Sequence, residues 1–264
     1  MSSFPRSYGY RFNWRGLFTP AIKTLVIANT AVFLVQVLAR LRFPDAYLWM
    51  NHVFGLVPYR VVLQLWLWQP FTYLFLHDAG TVWHLLLNMF FLWMFGADLE
   101  RAWGRRRFYT YYFVAGAGAG LINVAVKMLL YFGGAARSDL AAVIPTIGAS
   151  GAIYGILLAN AVLFPERQIW LIPIPVAIPM RIFVLGAGAI EFFGTLGSGG
   201  DNISHITHLG GMLVGYIYLR RGSFLYGVRN RLSDWRRRRL RRKFDVYMRD
   251  HDDKPPSRPD RWVN

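Results

Sequence analysis

Ser150 stands in Gly148-Ala149-Ser150-Gly151 at the head of one apolar run, and His208 stands in His208-x-x-Gly211-x-x-x-Gly215 inside another. A hydroxyl is a weak nucleophile until a base takes its proton, and an imidazole, which titrates near about 6.5 in peptides, suits that task near neutrality. Proton-carrying groups are costly in hydrocarbon unless something compensates them, so two of them inside apolar runs point to function. The pair reads as a nucleophile and its base.

The elements that must deliver them are membrane helices. The chain has 264 residues, 55% hydrophobic and 17% charged, enough for one polytopic domain with tails. Runs approaching the roughly 17 to 25 apolar residues that a bilayer demands occur at Pro20 to Leu41, Thr81 to Leu99, Phe108 to Phe132, Ser150 to Phe164, Pro179 to Leu196 and Ile206 to Leu219. The fourth and sixth are short for full spans. The expected fold class is an all-α membrane protein with six transmembrane helices. No internal repeat is visible, and a removable signal peptide is not expected, because the first run is long and lacks a small-residue cleavage pattern. The absence of cysteine excludes disulfides, thiolate metal sites and cysteine nucleophiles.

The net charge of +16 is informative by its location. Arg6, Arg11, Arg15 and Lys23 precede the first run, Arg101 and Arg105 to Arg107 follow the second, and Arg167 follows the fourth. Half of the 30 Lys and Arg residues lie after Tyr218, including Trp235-Arg236-Arg237-Arg238-Arg239. The opposite connections carry only Arg40, Arg42, Arg60 and Arg137. The positive-inside rule therefore puts both termini in the cytoplasm. Residues 1–19 are expected to form a cytoplasmic segment, 20–221 the membrane domain and 222–264 a basic cytoplasmic tail. That tail suits anionic lipid headgroups, and nothing around it resembles a nucleic-acid module, so membrane lipids and not nucleic acid are the expected partners.

Depth follows from a helical rise of about 1.5 Å per residue. Ser150 lies roughly 22 Å before the inner-face mark at Pro165, and His208 roughly 18 Å before Arg220. His84 and Asn88 lie roughly 25 and 20 Å before Arg101. Four polar side chains from three parallel spans thus meet one level, which requires a watery cavity below the outer surface. Gly151 and Gly155 on one span and Gly211 and Gly215 on another have the small-xxx-small spacing that lets helix backbones approach in lipid. Tyr154 falls one turn below Ser150, on the side where it could support the imidazole.

These motifs in this order, with His84-x-x-x-Asn88 and Gly96-x-x-Leu99-Glu100-Arg101, resemble the rhomboid family of intramembrane serine proteases over about Pro20 to Leu219. Trp68-Gln69-Pro70-Phe71-Thr72 and Phe75-Leu76-His77 resemble the end of that family's large first loop, with Gln69 where many members carry arginine. The resemblance implies a six-helix rhomboid-like bundle and a Ser150–His208 dyad, with Tyr154 packed on the histidine. The Ser150 backbone N–H, His84 and Asn88 would supply the oxyanion hole, and no cofactor or metal is expected. Substrates would be transmembrane proteins cut in or near their membrane segments.

Other residues carry structural expectations. No Asp or Glu obviously orients His208; Glu191, at unresolved depth and facing in the fifth run, is expected to be non-catalytic. His205 is expected to be structural or to line the cavity, His77 to brace the first loop, and Lys127 to snorkel to the outer interface. A zinc protease would need His-Glu-x-x-His, which is missing, and Gly197-Ser198-Gly199-Gly200-Asp201 is not an aspartyl-protease GxGD. A proteolytically silent rhomboid-like helix binder and a small transporter are the rival classes. The first usually lacks one or both of the reactive residues; the second lacks repeat symmetry. The expected location is a bacterial plasma membrane, and the oligomeric state is not legible.

Overall fold

The computed structural model describes residues 18–134, 138–170, 176–196 and 205–221. The expectations on the N-terminal arginines, Arg137, Gly197 to Asp201 and the tail from 222 lie outside the described residues. The chain divides into one unit over Met1–Tyr218 and another over Leu219–Asn264, and the site lies in the first.

The described chain is mostly helical. Helix α1 spans Pro20–Arg42, with proline at the start where its missing N–H costs nothing. Three short helices follow, α2 over Pro44–Phe54, α3 over Pro58–Leu63 and α4 over Gln69–Thr72, with a 3-10 turn at Tyr73–Phe75. Helix α5 covers Val82–Trp103, and the Thr81 hydroxyl accepts from the Trp83 N–H at its start. Gly104, at φ +80°, turns the chain directly into α6 over Arg105–Phe132. Helix α7 covers Ser138–Val143 and α8 Ser150–Leu163. Strands β1, Gln168–Trp170, and β2, Ala177–Pro179, pair antiparallel with Ile169 opposite Ile178. Helix α9 is Met180–Leu196 and α10 occupies 205–221.

Each of the six apolar runs is helical within a few residues of its expected bounds. By length and composition α1, α5 and α6 are long and apolar enough to cross a membrane, while α8, with 14 residues, is a shorter apolar helix. Leu34, Leu38, Leu41, Trp83, Phe90, Phe192 and Phe193 are exposed, as lipid-facing side chains would be in a membrane protein. The β1–β2 hairpin departs from an all-α expectation. Prolines at 173, 175 and 179 interrupt this stretch and disfavour helix.

Two buried polar groups tie the helices together. Glu100 on α5 is 4% exposed and accepts from Thr19 Oγ1, from the Ala21 N–H at 2.8 Å and from the Ile22 N–H at 3.1 Å. A carboxylate thus caps the start of α1, whose first N–H groups have no partner within the helix. Gln69 is fully buried and accepts from the Val57 N–H at 2.9 Å while donating to the His52 and Val53 carbonyls. The Gln69 amide both donates and accepts, and it latches α2 and α3 onto α4.

Lys127 corrects one expectation. It does not snorkel: it is 2% exposed, and Nζ donates to Thr146 Oγ1 at 3.1 Å. The segment leading into α8 covers it and supplies the acceptor. Asn123 donates to the same hydroxyl at 3.2 Å and to Thr207 Oγ1 at 2.6 Å, which joins α6 to α10. His77, in the connection before α5, is fully buried, its N–H donates to Gln36 Oε1 at 2.9 Å, and burial pushes its imidazole down to about 3.

Candidate active site

Ser150 is the first residue of α8, so its backbone N–H has no intrahelical acceptor. The chain reaches it through Gly148, at φ +120°, whose N–H donates to the Tyr73 carbonyl at 3.0 Å. A side chain there would be strained and would stand 2.9 Å from His84 Nε2.

Helices α8 and α10 approach until their backbones touch. A Cβ on Gly211 would lie 1.9 Å from the Gly151 carbonyl oxygen, and one on Gly215 would lie 3.2 Å from the Gly155 Cα. Gly155 also faces Ala115 of α6, where a Cβ would come within 2.7 Å of the alanine methyl. All four glycines singled out by spacing therefore lie at the crossing of α6, α8 and α10.

That approach brings His208 Nε2 within 2.7 Å of Ser150 Oγ. The Tyr154 ring stacks on the imidazole, centroids 4.2 Å apart and planes 12° from parallel. His84, Asn88, Ser150, Tyr154 and His208 line one cavity of about 400 Å³, walled on its apolar side by residues such as Phe91 and Phe183. The four polar groups expected at one depth do share one space.

The two α5 residues differ in what they offer. His84 Nδ1 accepts from the Asp78 N–H at 3.2 Å, so the neutral ring carries its proton on Nε2, the nitrogen beside Gly148. Asn88 Nδ2 donates to the His84 carbonyl at 2.7 Å, and its Oδ1 is buried without a hydrogen-bond partner. One amide hydrogen of Asn88 is thus held by its own helix, which leaves a single N–H for anything else.

The expectation that no Asp or Glu stands by His208 is a second one that the structure corrects. Glu191 on α9 is 5% exposed, with Oε2 3.0 Å from His208 Nδ1 and 2.5 Å from His205 Nδ1. Its Oε1 accepts from the Tyr154 hydroxyl. The contact with His208 is at ion-pair distance without hydrogen-bond alignment. His205 lies against Gly194, one turn from Glu191, where a Cβ would come within 2.6 Å of the ring. The facing of α9 decides all this. Phe183, Ala187 and Glu191 recur every fourth residue on one helical face, and the first two line the cavity; that row was the available signal.

Among the described residues, Glu191, His205 and His208 form a set that could hold a metal ion, with ligand atoms within 4.8 Å of one another. The spacings are those of a proton shared between His205 and Glu191 with His208 at ion-pair distance. Ligands on a tetrahedral ion with bonds of about 2.0 Å stand about 3.3 Å apart, whereas Oε2 is 2.5 and 3.0 Å from the two nitrogens.

Fold and site first define a class: an integral membrane protein in which a helix-start serine meets a histidine from a glycine-packed neighbour. Residues 64–222 match the Rhomboid domain, and the chain belongs to the rhomboid family. It is 33% identical over 136 residues to Rhomboid protein 1, mitochondrial, of Saccharomyces cerevisiae, covering 52% of this chain and 37% of that protein. To the mouse Presenilin-associated rhomboid-like protein, mitochondrial, it is 30% identical over 148 residues, 54% of this chain and 35% of the relative. Rhomboid-like protein 16, chloroplastic, of Arabidopsis thaliana is 29% identical over 212 residues, 76% of this chain and 63% of the relative. The chain matches just over a third of the length of the two mitochondrial relatives.

Proposed function

We propose that the protein is a serine endopeptidase that hydrolyses peptide bonds in or near transmembrane segments of other membrane proteins. The observation that carries this reading is the 2.7 Å contact between His208 Nε2 and Ser150 Oγ inside a polar-floored cavity. Ser150 Oγ attacks the substrate carbonyl carbon as His208 Nε2 takes its proton, giving a tetrahedral oxyanion. The Ser150 N–H, the Nε2–H of His84 and the remaining N–H of Asn88 are the donors for that oxyanion. Collapse passes the proton from His208 to the leaving amine and leaves an acyl-enzyme. Water, deprotonated by the same nitrogen, then attacks the acyl carbon; the bond to Ser150 Oγ breaks, Oγ recovers the proton from His208 and the acid is released.

The rest of the reading follows from this site. Residues 20–221 form a six-span domain with both termini cytoplasmic, a topology supported by the ion pairs that gather Arg101 and Arg167 at Asp98. The basic tail, residues 222–264, meets anionic lipid. Substrate helices enter beside α5 and α9, whose Leu87, Phe91, Phe183 and Ala187 give the cavity apolar walls, and those that unwind easily at small residues are preferred. The named relatives carry mitochondrial or chloroplastic names, so an organelle membrane stands beside a bacterial plasma membrane as the location. A silent helix binder is the weaker reading, because both reactive residues are present and in contact.

Cleavage of a tagged single-span substrate in reconstituted vesicles tests the proposal. Ser150→Ala and His208→Ala are each expected to lower the rate by at least about 10⁴-fold. Variants that cut as fast as the parent would end it.

A further inference from the structure

The base at this site needs a particular tautomer. His208 Nε2 can accept the Ser150 proton only when the neutral ring carries its hydrogen on Nδ1. Nothing on α8 selects that form: Tyr154 presents the face of its ring to the imidazole and directs its hydroxyl to Glu191. The carboxylate oxygen beside Nδ1 is Glu191 Oε2, at 3.0 Å and short of hydrogen-bond alignment. A carboxylate has lone pairs and no hydrogen to give, so it favours N–H and disfavours a bare nitrogen at that position.

The carboxylate is itself held. Oε1 takes the Tyr154 hydroxyl, Oε2 takes His205 at 2.5 Å, and the side chain is buried. Tyr154 therefore touches both the ring that is oriented and the group that orients it, while Gly194 leaves room for the His205 ring beside them. Two titratable partners, Tyr154 and His205, thus hold the carboxylate beside the reactive imidazole.

Resting on the protease reading, we infer that Glu191 is a positioning residue that makes the site a Ser150–His208–Glu191 array in place of a dyad. When Ser150 Oγ bonds to the substrate carbon, its proton moves to Nε2 and His208 becomes a cation. The Nδ1–H of that cation stays on the ring and faces Glu191, whose negative charge stabilises it; the proton on Nε2 then leaves with the amine. Glu191 gains and loses no proton. Catalytic hydrogen bonds that are loose in a free enzyme commonly tighten as charge develops, which is what the unaligned 3.0 Å contact allows. His205 and Tyr154 keep the carboxylate from turning away.

Glu191→Gln tests this, because an amide of the same shape can donate to Nδ1 and select the wrong tautomer. The parent and Glu191→Gln proteins are compared in vesicles with rates taken per active site titrated by a fluorophosphonate, and Ser150→Ala, which has no hydroxyl to titrate, is run at equal protein concentration. The expected result is a kcat about a hundredfold lower, the low end of general-base effects of about 10² to 10⁴, with KM and thermal midpoint close to the parent's. A per-site kcat equal to the parent's overturns the inference. A parent that does not cut, or a Ser150→Ala protein that does, instead overturns the protease reading. Nitrogen-15 histidine spectra of the Ser150→Ala protein give the second measurement, and they decide even if Glu191→Gln fails to fold. A proton on His208 Nδ1 supports the array, and a proton on Nε2 overturns it.

Discussion

Glu100 and Glu191 are two glutamates hidden to almost the same degree, 4% and 5% exposed, and each is surrounded by several hydrogen-bond donors. Around Glu100 the donors are the Ala21 and Ile22 backbone N–H groups and the Thr19 hydroxyl, none of which titrates near neutral pH. Around Glu191 they are the Tyr154 phenol and the His205 imidazole, with the His208 imidazole at ion-pair distance beside them. Burial alone does not separate a structural carboxylate from a chemical one. Partner chemistry does, since backbone donors fix a helix end and imidazoles can change charge during a reaction.

The contrast can be broken by exchanging the two outcomes. Glu100→Ala strands the α1 N–H groups in the interior, and at about 1–3 kcal/mol for each unsatisfied buried group the expected loss is about 3 kcal/mol. Thermal unfolding in detergent would show it, with kcat per titrated active site unchanged. A lowered kcat at full stability would mean that Glu100 belongs to the chemistry after all. A milder version sharpens the same contrast: Thr19→Ala removes one donor from Glu100 and should cost about 1 kcal/mol, read as a smaller downward shift of the same midpoint. No shift would leave the two backbone N–H groups as the whole of the cap.

Much of this arrangement was legible because it repeats a period or a spacing. Six apolar runs announce six helices, and counting residues back from the inner-face marks, Arg101, Arg220 and the Pro165-Glu166 pair, puts His84, Asn88, Ser150 and His208 at one depth. The glycines at 151, 155, 211 and 215 marked the crossing because only their backbones could meet so closely. Glu191 was missed for the complementary reason: a single carboxylate in an apolar run declares neither its depth nor its facing, and only packing turned it to His208. Lys127 was misread because snorkelling assumes open lipid beside the ammonium, and the covering Thr146 segment is a tertiary feature. The short helices α2 to α4 and the β1–β2 hairpin are set by side chains such as Gln69 and by proline, with no period long enough to read.

The central claim is that His208 makes Ser150 a nucleophile, and covalent labelling measures it most directly. A fluorophosphonate applied to the folded protein, with the modified residue mapped by mass spectrometry, should mark Ser150 in the parent and leave it unmarked in His208→Ala. Labelling of Ser150 that persists at the parent's rate without His208, or a label on another residue, would contradict the account.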